Sequence, residues 1–343
     1  MDRRFVANES KTPELENGPL TETNGNIGSP MVPQEMAMAQ LWMKEDFEKA
    51  IPYPFEVSRD DLKKAISSLL PNYEDRLNED QVGAIPGTFP EQQGVTAPGA
   101  TTGGYNYPGP YTRHEVLCPY TIYPYITVGK LFFKQYGTSY VASAASIGNY
   151  AIWTAGHCVH KGDGNSAGWS TNSVFVPVYK DGNTPYGQWP ASRLFTRSNW
   201  MSKGNPNGLG EDMGGAILYN QGVKKISQVV GSLGFAWNQP TYQHWHAIGY
   251  PAVSPFNGYR MIETEASFAY LESSMSLNPV PRAIGCDMTG GCSGGPWVLN
   301  FGTLNYLNGN NSYRLTSRLE EMKSPYFGNE AKSLYDTLKA ATP

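Results

Sequence analysis

Charge is scarce in this chain of 343 residues, with Asp, Glu, Lys and Arg making up only 16%. The net charge is −4 and no long basic run occurs, so the electrostatic footprint of a nucleic-acid binder is missing. No apolar run approaches the roughly 18 residues that a membrane helix needs. The opening "MDRRFVANESKTPELENG" lacks the apolar centre of a secretory signal. Three explanations stay open: a signal already removed, export by another route, or a protein that stays inside the cell. Cysteine is sparse too. Cys118, Cys158, Cys286 and Cys292 permit three pairings but form no CxxC, and the five histidines are irregularly spaced from them. That pattern argues against a structural zinc site, and no metal is expected.

What is plentiful is Gly, Pro and Tyr, a balance that favours a loop-rich β protein over a helical bundle. Residues 1–34 are polar and aperiodic and read as a mobile tail. Two short helical patterns follow, at 35–50 and 58–70. The second opens on Ser58 with Asp61 three residues on, as in a capping box, and Leu62, Ala65, Ile66 and Leu69 share one face. This 35–82 region is either an ordinary N-terminal lobe or a prosegment lying over the rest. Residues 83–115 are rich in Gly and Pro and read as a linker without regular structure. From about 116 the texture changes to short runs of Val, Ile, Phe, Tyr and Thr broken by turn residues, a succession of strands such as "YITVGKLFF", "YAIWTAG" and "GGPWVL". Helical spacing returns at the end through Ala331, Leu334, Tyr335 and Leu338.

The stretch "GCDMTGGCSGGPW", 285–297, sets four glycines and a proline around Ser293. A serine hydroxyl is a poor nucleophile at neutral pH and needs a base, an orienter for that base and donors for the oxyanion. Gly291 and Ser293 can supply backbone N–H groups as those donors, and a side chain at 291 would hinder the turn. Among five histidines, His157 in "AIWTAGHCVH" sits at the end of an apolar strand-like run and suits the base. His160 falls in the polar stretch that follows and reads as a surface residue. His244 and His246 flank Trp245 on one face of a strand, and His114 lies near the linker. The orienter should enter a buried strand, which Asp212 in "GEDMGGAILYN" does, with Glu211 as the fallback.

"TAGHC", "DMGGAIL" and "GCSGGP", in the order His, Asp, Ser, resemble the trypsin-like serine peptidases of the chymotrypsin fold. "TVGKLFF", "GYP" and "DMTGG" are similar to the microbial branch that includes the glutamyl endopeptidases. The resemblance covers about residues 120–343. It implies an all-β fold of two six-stranded antiparallel barrels, about 120–220 and 225–343; the residues themselves add the C-terminal helix and an N-terminal region that is partly helical and partly disordered. It implies catalytic roles for His157, Asp212 and Ser293, and an oxyanion hole at Gly291 and Ser293. It also implies serine endopeptidase activity on protein or peptide substrates, no cofactor, a monomer and secretion.

Departures from the family pattern carry further expectations. Cys292 stands where most trypsin-like enzymes have an aspartate that pairs with a freed N-terminal amine, so that activation switch is not expected; a prosegment could still block the cleft. Ala142 replaces the usual partner of the cysteine after the histidine, which suggests Cys118–Cys158 and Cys286–Cys292 as bridges. Asp287 lies six residues before Ser293, where a basic-selecting aspartate is found in trypsin, and either selects Arg or Lys or caps a turn. No histidine follows residue 246, which argues against Glu selection. Ser312 in "NGNNSYR" marks the strand edge expected to pair with substrate backbone. Two alternatives stand beside the serine mechanism: a thiol nucleophile at Cys292, and a non-catalytic binding protein on a protease fold.

Overall fold

A computed structural model describes residues 22–58, 83–85, 109–117, 119–275 and 277–343. The N-terminal third contributes only small pieces: β1 (Glu22–Thr23), β2 (Asn26–Gly28), β3 (Ile51–Pro52), β4 (Glu56–Val57), β5 (Gly83–Ile85) and β6 (Tyr111–Glu115). Each is too short to be stable alone, and each is added to the edge of a larger sheet.

The first large unit is built from β7 (Val128–Gln135), β8 (Thr138–Gly148), β9 (Ala151–Thr154), β10 (Thr171–Pro177), β11 (Trp189–Arg197) and β12 (Gly214–Leu218). They pair antiparallel in the order β11, β10, β7, β8, β9, β12, and β12 pairs back onto β11, closing a six-stranded barrel. Closure removes the exposed edges that an open sheet must otherwise protect. Both faces of β7 and β8 are largely buried, which is why they read as near-continuous apolar runs.

The second unit is a sheet of β13 (Gly234–Trp237), β14 (His244–Gly249), β15 (Ile262–Leu271), β16 (Arg282–Gly285), β17 (Pro296–Leu299), β18 (Tyr306–Asn310), β19 (Tyr313–Leu315) and β20 (Arg318–Ser324). Its ladders run β19, β20, β16, β15, β14, β17, β18, β13. One hydrophobic cluster joins the two units, with Phe132 and Trp153 from the first and Phe235, Val298 and Leu307 from the second. Trp153 also donates from Nε1 to Asn310 Oδ1 at 3.1 Å across the junction. The terminal helix Asn329–Ala340 buries Ala331, Leu334, Tyr335 and Leu338, the face expected from its spacing, and Tyr335 stacks on Phe235.

The N-terminal region departs from expectation. Residues 22–34 are not a loose tail: Asn24 and Gly25, both at positive φ, make a two-residue hairpin turn, and β2 pairs with β11 so that Asn26 is buried. The 35–50 pattern forms two helices, Gln34–Ala39 and Lys44–Lys49, because Trp42 between them turns inward under Gln188 and packs on Phe132. Inside the stretch read as a linker, β5 pairs with β13 and β6 pairs with β15 over five residues. The helix expected at 58–70 lies outside the described residues, apart from Ser58. Among those residues no helix is long and apolar enough to cross a membrane.

Candidate active site

His157 lies on a single turn, Gly156–Val159, at the end of β9, and Asp212 sits just before β12, the neighbour of β9 in the barrel. Strand pairing thus brings together two residues 55 positions apart. Asp212 Oδ2 lies 2.9 Å from His157 Nδ1, and Asp212 Oδ1 accepts the His157 backbone N–H at 2.8 Å. Ser312, at the start of the segment leading into β19, donates its hydroxyl to Asp212 Oδ2. The carboxylate therefore has three donors in a buried site, which fixes the ring. Burial opposes a charge on His157, but the neighbouring Asp212 carboxylate and Cys158 together outweigh it and raise the imidazole above its usual range.

Ser293 stands in the loop between β16 and β17. Gly291 adopts φ +101°, and a Cβ there would meet the Tyr250 carbonyl at 2.7 Å, so only glycine fits. Ser143 on β8 holds the loop from below. Its N–H donates to the Ser293 carbonyl at 2.8 Å and its hydroxyl to the Gly291 carbonyl at 2.9 Å. Among the described residues the N–H groups of Gly291 and Ser293 have no acceptor. That is what an oxyanion site requires: donors fixed in place and left unspent. Nothing in "YVASAAS" singles out Ser143 as their support.

The cleft is covered. Residues 51–57 run across it, with β3 paired parallel to Tyr140 and Val141 of β8 and β4 paired parallel to Arg314 and Leu315 of β19. Between these anchors Phe55 stacks on the His157 ring, centroids 3.8 Å apart and planes 10° apart, and Tyr53 lies 5.0 Å from the same ring. His157 has no exposed surface and Ser293 is 4% exposed. His157 Nε2 is buried without a hydrogen-bond partner, so the bond to Ser293 Oγ is not made. Beneath the segment a cavity of about 360 Å³ is bounded by Pro52–Glu56 on one side and by Thr289, Ser293 and Ser312 on the other. Arg314 clamps Glu56 with Nε and Nη2.

Other expected residues fall differently. Asp287 does not line this cavity; its carboxylate pairs at 2.5 Å with Arg113 of β6, a residue of the stretch read as a linker. His160 is buried, not on the surface, because both ring nitrogens bond to the loop that follows, at Gly162 and Asn165. Cys286 and Cys292 are free thiols, so the small ring around "DMTGG" is not closed. Cys286 Sγ faces Thr264 Oγ1 and Cys292 packs on Gly249. Cys158 is also free, and Cys118 lies outside the described residues. Burial raises the Cys292 thiol well above its ordinary pKa, which leaves it protonated and unsuited to attack.

A closed six-stranded barrel joined to a second sheet, with a hydrogen-bonded histidine and aspartate on the barrel and a serine in a glycine-rich loop of the second sheet, is the architecture of a chymotrypsin-like hydrolase. The chain belongs to the trypsin-like serine peptidases of that fold. It is similar to the protease Anisep from Arthrobacter nicotinovorans, at 35% identity over 63% of this chain and 96% of that one, with a TM-score of 0.58. It is similar also to the thermostable serine protease AL20 from an extremophilic microorganism, at 34% identity over 63% and 98%, TM-score 0.58. A Glu endopeptidase shares the fold at 16% identity, TM-score 0.53. No protein-family model matches the sequence, and no curated protein does.

Proposed function

We propose that the chain cleaves peptide bonds through an acyl-enzyme on Ser293 and that residues 51–57 hold it latent until they are displaced. The carrying observation is the hydrogen-bonded line from Ser312 through Asp212 to His157, beside a serine loop whose Gly291 and Ser293 N–H groups are unspent.

In the open enzyme His157 Nε2 takes the proton of Ser293 Oγ as that oxygen bonds to the substrate carbonyl carbon. The carbonyl oxygen becomes an oxyanion held by the two N–H groups. Collapse breaks the C–N bond, and the leaving amine takes the proton from His157. Water then repeats the sequence, bonding to the acyl carbon and returning Ser293 to its alcohol. Asp212 keeps the Nδ1 proton in place throughout. Glu211, the fallback orienter, is instead bonded to Arg197 at 2.8 Å and is no rival.

Latency follows from Phe55, whose ring occupies the face of the imidazole next to the cleft. Secretion, implied by the family resemblance, belongs to the same proposal. The test is labelling with a fluorophosphonate probe in full-length protein, in the Tyr53→Ala/Phe55→Ala variant and after limited proteolysis of the N-terminal region. Opening the cleft should raise labelling, and Ser293→Ala, but not Cys292→Ala, should abolish it. Labelling that survives Ser293→Ala, or an opened and folded protein that never labels, would overturn the assignment.

A further inference from the structure

Three of the chain's five histidines lie on one face of the second sheet, His114 far in sequence from His244 and His246, and all unused by the peptidase site. His244 and His246 lie on β14, Glu263 and Glu265 on β15, and His114 on β6, which pairs with the other edge of β15. The registers His246↔Glu265 and Glu263↔His114, together with the two-residue period of each strand, put all five side chains on the same face.

Glu263 is the organising group. Its carboxylate is 1% exposed, with one oxygen 2.5 Å from His246 Nδ1 and the other 3.1 Å from His114 Nε2. Tyr125 donates to the same carboxylate. A buried carboxylate bonded to one nitrogen of an imidazole fixes the tautomer and leaves a lone pair on the other nitrogen, the usual arrangement behind a metal-ligating histidine. Here one carboxylate does this for two rings. His244 Nδ1 lies 3.1 Å from Ser267 Oγ, a hydroxyl that can donate or accept. The donor atoms of His244, His246 and Glu265 lie within 4.8 Å of one another, and His114 Nδ1 is 4.0 Å from Glu265 Oε1.

We propose that His244, His246 and Glu265 bind a divalent zinc ion, with His114 beside Glu265. Nitrogen donors with one carboxylate suit zinc, and tetrahedral ligation at about 2.0–2.1 Å asks only that these side chains close in by ordinary rotations. The ion would bridge β14 to β15, the strand that also carries β6, and so pin that pair.

The test uses full-length protein freed of metal with a chelator, titrated with zinc chloride in a calorimeter, with cobalt(II) chloride as the optical probe. One equivalent of zinc should bind, and cobalt should give the visible absorption of a tetrahedral nitrogen–oxygen site. Thermal unfolding should rise by roughly 5 to 10 °C when free zinc exceeds its Kd about a hundredfold. The His244→Gln/His246→Gln variant should lose all three responses. Glu265→Gln, a gentler change at a half-buried position, should weaken binding at least about tenfold with the fold intact by circular dichroism. No zinc uptake at millimolar concentration would refute the site, and so would uptake unaffected by these variants. Neither outcome bears on the serine peptidase reading.

Discussion

Two histidines in this molecule are held in the same way and face opposite surroundings. His157 Nδ1 bonds to Asp212 and His246 Nδ1 bonds to Glu263, both carboxylates buried and both shared with a hydroxyl donor, Ser312 in one case and Tyr125 in the other. What separates them is the environment of the rest of the ring. His157 stands beside a serine loop with two unspent N–H groups, beneath Phe55. His246 stacks on Phe301, next to two more histidines and a second carboxylate at the surface. An imidazole tied to a carboxylate is therefore a neutral device. A serine opposite the free nitrogen makes it a base, and further lone pairs there make it a ligand.

The sharpest way to break this comparison is to remove the carboxylate at the first site. In the Tyr53→Ala/Phe55→Ala background, Asp212→Asn keeps the shape but favours the wrong tautomer, and kcat should fall by about 10⁴. A fall below tenfold would mean that the Asp212–His157 bond is structural only.

Opening the cleft comes next in size. Burying an aromatic side chain contributes roughly 1.5–3 kcal/mol, so losing both Tyr53 and Phe55 should shift the closed-to-open balance of the full-length protein by at least about a hundredfold in probe-labelling rate. An unchanged rate would mean that residues 51–57 do not limit access. At the second site Glu263→Gln should weaken zinc binding by about 10–100-fold, measured by the same titration. Equal affinity would separate the two carboxylates in kind.

Much of the first site was legible because each part is local. "TAGHC", "DMGGAIL" and "GCSGGP" each carry their own chemistry, and the barrel brings together residues whose types already fit. The strands of the closed barrel were legible as apolar runs for the same reason. The covering segment was not, because "IPYPFEV" has two-residue strands that exist only through pairing with β8 and β19, and its prolines make it look like a connection. Asp287 was ambiguous in sequence since its partner, Arg113, comes from a strand hidden in a Gly/Pro-rich stretch. The cluster of three histidines was invisible for a related reason. Metal spacing rules read along the chain, while Glu265 reaches His244 and His246 only through the register of β15 on β14.

The smallest effect sharpens the comparison by sign. In full-length protein the folded-state pKa of His157 lies above that of the unfolded chain, so its contribution to stability is complete below pH about 6.5 and declines as pH rises through the folded value. His244 is shifted the other way: the unfolded chain takes up its proton first as pH falls below about 6.5, which destabilises the fold until the folded group is protonated as well. Unfolding temperatures of wild type, His157→Gln and His244→Gln, followed from pH 5 to pH about 9 without metal, should show opposite slopes. The advantage of wild type over His157→Gln should shrink as pH rises. Relative to His244→Gln, wild type should lose ground as pH falls, by a small amount because His244 is exposed and screened. Parallel slopes would show that the Asp212 carboxylate does not set the protonation of His157 apart from that of His244.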